Sequence, residues 1–221
     1  MTRAIDLFRR AARPALILIV LAAGRAPITV AAQPRQDAAA VWGLPWVKQW
    51  YSLDCEYAAT AAVTWFYGNL VSQRDLIAEV PGDPNPHYGF RGRLDGPVGG
   101  LGDYGVYAEP LVPVLQRHGF HAEAVYADAG WLKAQIAAGR PVVVWMTYET
   151  WPSARSYYLD SQGRPFSLTN WEHCVVVTAY DDWGVTVMDP YGGTFGRYGW
   201  DDFTRAWGYF DGMALLITPG W

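Results

Sequence analysis

The chain has 221 residues, is 51% hydrophobic and 17% charged, and carries a formal charge of −4. Its length suits one globular domain with a short appendage. With no basic run beyond the first turn of the chain, nucleic acid is not an expected partner. Aromatic residues make up 15% of the chain, including 12 Trp and 14 Tyr, and much of that must be core or cleft lining because large exposed apolar patches are rare.

Residues 1–32 stand apart. Arg3, Arg9, Arg10 and Arg13 precede a short apolar run over 15–23, and Val30, Ala31 and Ala32 offer a small-residue cleavage site before Gln33. This is the pattern of a secretory signal peptide. The run is shorter than the roughly 20 residues needed to span a bilayer, so cleavage is expected rather than retention as an anchor. The mature chain is then expected to be secreted or periplasmic, with membrane contact only if the segment stays. Residues 33–43 read as a linker and 44–221 as the domain.

The stretch 49–68 organises that domain. Asp54 suits an N-cap whose carboxylate takes first-turn N–H groups, and Gly68 suits the left-handed position after a helix. Between them Ala58, Ala59, Ala62, Val63 and Phe66 recur at helical spacing. Cys55 is thus expected at a helix N-terminus, where the dipole and unpaired N–H groups favour a thiolate. Such a thiolate is a nucleophile if a histidine can reach it.

Further along, Ser72 is expected to cap a helix over 73–79. Residues 81–105 form a Gly- and Pro-rich connection whose Asp83, Asn85, Asp95 and Asp103 match no calcium-loop spacing, so no metal or cofactor is expected. Its Tyr88, Phe90 and Tyr104 are expected to line one side of a cleft. A helix over 110–118, a strand over 120–126, a helix over 129–138 capped by Asp128 and a buried strand over 141–147 follow. Residues 148–171 read as a second long loop and a second cleft wall. A strand over 172–180 turns at 182–184 into a partner over 185–189, which Pro190 ends. A helix over 201–207 and a strand over 213–218 close the chain. The order predicts an α+β fold, an N-terminal helical lobe packed against an antiparallel β-sheet.

Of four histidines, His118 and His121 have easy surface readings and His87 lies in the long loop. His173 opens an apolar strand, where an ionisable group needs a reason. Asp189 ends the partner strand of the same hairpin and can orient that imidazole. Gln49, six positions before Cys55, can supply a side-chain N–H to an oxyanion alongside the Cys55 backbone N–H.

Gln49…Asp54-Cys55, the strand from His173 to Asp181, and Asp189-Pro190 resemble the three motifs of the C39-like peptidases, in the papain-like superfamily. The likeness runs over about 44–218 and includes Gly82-Asp83-Pro84-Asn85 and Gly89-Phe90-Arg91-Gly92. It implies a papain-like fold with Cys55 as nucleophile, His173 as general base, Asp189 as orienting carboxylate and Gln49 as oxyanion donor. Glu56 stands where the family often has Gly, and an acid there is expected to raise the Cys55 pKa. The chain has no transporter regions, so cleavage after a double-glycine leader does not carry over. If His173 faces Cys55, strand alternation turns Cys174 away, and no Cys55–Cys174 disulfide is expected.

The expected function is an exported cysteine peptidase that hydrolyses peptide bonds in peptide or protein substrates through an acyl-enzyme. The alternatives are acyl transfer on cell-wall peptides, and a secreted module that binds peptides or glycopeptides without turnover. Nothing in the sequence sets an oligomeric state.

Overall fold

The computed structural model describes residues 38–221. The expected signal segment and the first part of the expected linker lie outside them. The linker ends earlier than expected: Ala39–Ala40 (β1) pairs antiparallel with a central strand, and Val41 is buried.

Three helices come first, Cys55–Phe66 (α1), Gln73–Glu79 (α2) and Leu111–Arg117 (α3). Phe120–Tyr126 (β2), Ala129–Ala137 (α4) and Val142–Thr147 (β3) follow. The chain continues with Arg155–Leu159 (β4), Pro165–Thr169 (β5), Glu172–Tyr180 (β6), Gly184–Asp189 (β7), Thr194–Gly199 (β8), Trp200–Gly208 (α5) and Met213–Pro219 (β9). The fold is α+β, as expected. Several boundaries follow from local chemistry. Ser72 accepts the Asp75 N–H and Asp75 reaches back to Ser72, a complete capping box. Asp128 accepts the Trp131 N–H at 2.8 Å, and Gly68 takes φ +84° just past α1.

The main sheet runs β2-β9-β3-β6-β7-β8, with β1 joined to β6, and every pairing is antiparallel. Its central strands are covered on both faces, which explains why β3 is apolar throughout rather than alternating. Val143 and Trp145 face a cluster formed with α1, α2 and α3; Val142, Val144 and Met146 face a second cluster with α4 and α5. Residues 148–171, expected as a loop, contain the β4–β5 hairpin. β7 ends at Asp189, just before Pro190, as expected, and residues 194–199 add a further strand, β8, that was not expected. Among the described residues no helix is long and apolar enough to cross a membrane.

The 81–105 connection is pinned rather than draped. Phe90 and Tyr104, expected as cleft lining, are core residues. The Tyr104 hydroxyl bonds the Tyr107 hydroxyl at 2.9 Å, and the Asp103 carboxylate accepts the Arg93 N–H at 2.9 Å. Val106, just beyond, offers its carbonyl to the buried Trp145 indole N–H at 2.9 Å, so this strap is tied directly to the centre of the sheet.

Candidate active site

The turn before α1 is held by side chains pointing backwards along the chain. Asp54 makes no side-chain cap to α1, contrary to the expectation from its position. Its carboxylate instead accepts the Tyr51 N–H at 2.9 Å and the Trp50 N–H at 3.3 Å. Burial pushes the Asp54 carboxyl up, and these N–H groups oppose that rise. Gln73 of α2 accepts the same Trp50 N–H at 3.2 Å and donates to the Lys48 carbonyl at 3.0 Å. The Gln49 N–H donates to the Pro190 carbonyl at 2.9 Å, fastening this turn to the end of β7. The Gln49 side chain is buried; one amide N–H goes to the Tyr51 carbonyl at 2.7 Å, while Oε1 has no partner.

Cys55 opens α1 and is buried. Its thiol donates to Glu56 Oε2 at 3.5 Å, and its sulfur takes the backbone N–H of Cys174. The helix N-terminus does not make it a ready thiolate. Burial, then the charges of Glu56 and Glu172, push the thiol well above its ordinary value, and the Cys174 N–H offsets only part of this. Glu56 is itself fully buried. Its Oε1 accepts the Val106 N–H at 2.6 Å. One Glu172 carboxyl oxygen has no partner, and Cys55 Sγ, Glu56 and Glu172 present atoms within 4.8 Å of one another. Burial drives Glu56 up to about 8, and burial followed by the Glu56 charge drives Glu172 well above the carboxylate range.

Gly105 makes room for this group. A Cβ there would lie 2.1 Å from Glu56 Oε1, and its φ of +143° is one that side chains avoid. Gly105→Ala is therefore expected to destabilise the protein by about 3 kcal/mol or more and to slow Cys55 labelling. Thermal melts with an iodoacetamide time course would check both; an unshifted melt would show that Glu56 can move without cost.

Next to Cys174 along β6, His173 Nε2 lies 2.8 Å from Asp189 Oδ1, which also accepts the Tyr191 N–H at 2.8 Å. This pairing depends on a β-bulge. Val176 lies opposite Met188, but beyond the irregularity between Val177 and Ala179 the register shifts to Tyr180 opposite Val185. Had that second register continued, Asp189 would share the face of Cys174 and Val176. The extra residue restores it to the face of His173. Burial pushes the Asp189 carboxyl up, but the hydrogen bond and charge of His173 outweigh it and hold the group below its ordinary value. The Tyr148 ring stands edge-on to His173 at 5.3 Å and to Trp151 at 5.4 Å; Trp151 meets Trp171 at 4.9 Å. This wall is tied down through the Tyr148 N–H to the Trp171 carbonyl at 2.8 Å and Asn170 Nδ2 to the Gly99 carbonyl at 3.0 Å.

The structure thus joins His173 to Asp189 and fastens the Gln49 backbone to Pro190. It brings Cys55 to the backbone of Cys174, the residue after His173, with no hydrogen bond between the sulfur and the imidazole. Both cysteines are free. The reason expected for that was wrong: Cys174 shares the apolar cluster of Cys55 rather than turning away from it. Sequence reasoning passed over Glu172, although it opens the same apolar strand as His173 and invited the same question.

An α+β core with a cysteine at a helix start and a His–Asp pair on an adjacent hairpin has the architecture of a papain-like cysteine peptidase. The chain belongs to the Peptidase_C39 like family, whose model matches residues 42–215. It is 30% identical over 184 residues to the uncharacterised protein YvpB of Bacillus subtilis (strain 168), a match covering 74% of this chain and 68% of that protein. Its fold is similar to the crystal structure of a candidate C39-like peptidase from Bacillus anthracis, with a TM-score of 0.73 at 22% identity over 83% of this chain and 98% of that one.

Proposed function

We propose that the protein is an exported cysteine peptidase acting on peptide bonds, with Cys55 as nucleophile, His173 as base, Asp189 as its orienting partner and Gln49 as oxyanion donor. The observation that carries this reading is the 2.8 Å contact between His173 Nε2 and Asp189. It engages one ring nitrogen and leaves Nδ1 to take a proton. Cys55 Sγ turns from Glu56 towards that nitrogen, gives up its proton and attacks the amide carbonyl. Such contacts are often loose in a free enzyme and tighten with substrate. The oxyanion is held by the second amide N–H of Gln49 and by the Cys55 N–H, which lies in the first turn and has no helical acceptor. The imidazolium returns the proton to the leaving amine, and water then cleaves the thioester. The signal-like segment over 1–32 supports export.

The test is a peptide library digested before and after modification with iodoacetamide, with new N-termini and the modified residue read by mass spectrometry. Cleavage that stops when Cys55 is alkylated is expected. Undiminished cleavage after full modification, or no cleavage by the untreated protein, overturns the reading. Products that carry an added amine move it to acyl transfer.

A further inference from the structure

The peptidase mechanism uses neither Glu56 nor Glu172, yet both approach the reacting sulfur. We propose that Glu56 acts as a neutral carboxylic acid that donates a hydrogen bond to the Cys55 thiolate, that the neighbouring Glu172 helps keep it neutral, and that ionisation of Glu56 turns the nucleophile off. The proposal rests on Cys55 being the nucleophile.

Two close carboxyl groups without a cation cannot both ionise. No Lys, Arg or His forms an ion pair with Glu56 or Glu172 among the described residues. The groups facing them offer little relief. From α1 and its cap come Asp54, Cys55 and Tyr57; from β6 comes Cys174; from the strap come Tyr104 and Tyr107. The neighbouring His173 is turned to Asp189. All but His173 are acids, and His173 is engaged elsewhere.

The position of the proton follows from the contacts. Glu56 Oε1 is occupied by the Val106 N–H at 2.6 Å, so the proton belongs on Oε2, the oxygen 3.5 Å from Sγ. When His173 takes the thiol proton, the Oε2–H turns its donor to the new thiolate. One S–H bond breaks and one N–H bond forms, and the carboxyl proton stays where it is. Once Glu56 ionises, the same oxygen faces the sulfur with a negative charge, and the thiolate is opposed instead of supported. Burial places that ionisation at about 8, inside the range in which a cysteine enzyme would otherwise keep its reactivity.

The decisive experiment measures the rate of Cys55 alkylation by iodoacetamide from about pH 5 to about pH 10 in the wild type and in Glu56→Gln. The amide of the variant can accept from Val106 and donate to sulfur at every pH. The ratio of the variant rate to the wild-type rate is expected to rise about tenfold as Glu56 ionises, the effect of losing one hydrogen bond to a charged group. Superimposed profiles overturn the proposal. A Cys55 that alkylates in neither protein overturns the nucleophile reading and, with it, the part played by the sulfur. The neutral state of Glu56 is then decided separately by the thermal midpoint. Glu56 is raised in the folded state, so its stabilisation is present below the unfolded carboxyl value, about 4.3, and is lost as pH rises through about 8. The wild-type midpoint is expected to slope downwards over that window more steeply than that of Glu56→Gln, and equal slopes overturn the neutral Glu56.

Discussion

Cys55→Ala is expected to reduce peptide hydrolysis to background, a loss on the order of 10^4-fold or more, while the protein stays folded. Removing the nucleophile removes every step that follows attack, so no residual covalent pathway remains. The structural cost is small for a stated reason. Cys55 fills little space, alanine suits a helix, and the change removes a thiol whose ionisation the surrounding acids already oppose. A loss of about 1 kcal/mol from the missing sulfur is expected. Cys174→Ala is the contrasting control: it too removes a buried sulfur, from the middle of β6, and is expected to cost about 1 to 2 kcal/mol in stability while hydrolysis continues. Steady-state kinetics and thermal melts of the two variants would check the pair. Equal activities would remove Cys55 from the mechanism, and an unfolded Cys55→Ala would leave Cys55→Ser as the variant to read.

The difference between these cysteines shows how far the sequence could be read. Cys55 was legible because a helix start, an apolar periodicity and a glycine stop are local features, and the same is true of Ser72 and Asp128. Asp54 obeys no such local rule. Its carboxylate faces backwards to accept the Trp50 and Tyr51 N–H groups, in a turn whose path is set by contacts with α2 and the end of β7. The β4 and β5 strands escaped notice because they pair only with each other, and Arg155–Leu159 lacks an apolar run. The β8 strand carries Gly196 and Gly199 on a half-exposed edge, so it has neither the alternation nor the propensity of its partners. The proximity of His173 and Asp189 was visible from the hairpin. Their shared face was not, since it depends on an irregularity near Thr178 that no residue there announces. Glu56 was noticed as a neighbour of the thiol, but its burial against Glu172 comes from Gly105 and Val106, roughly fifty positions away.

Asp189→Ala is expected to lower kcat by about 10^2- to 10^4-fold with a smaller change in KM, whereas Asp189→Asn is expected to lose only about tenfold. The difference follows from what Oδ1 does. One oxygen accepts both the His173 Nε2–H and the Tyr191 N–H, each at 2.8 Å. An asparagine carbonyl can accept the same two bonds, so the tautomer that leaves Nδ1 free survives, and only the charge that stabilises the imidazolium is lost. Alanine removes the acceptor, and the buried ring is then free to present either nitrogen to the sulfur. The charge also has a stability signature. Because the folded carboxyl lies below its ordinary value, its contribution is present above the unfolded value of about 3.9 and is lost as pH falls through the lowered folded one. Asp189→Asn should therefore flatten the acid side of the melting profile as well as lowering turnover. If alanine and asparagine prove equally damaging, the charge rather than the orientation of His173 is what Asp189 supplies; if neither changes kcat, Asp189 has no part in the reaction.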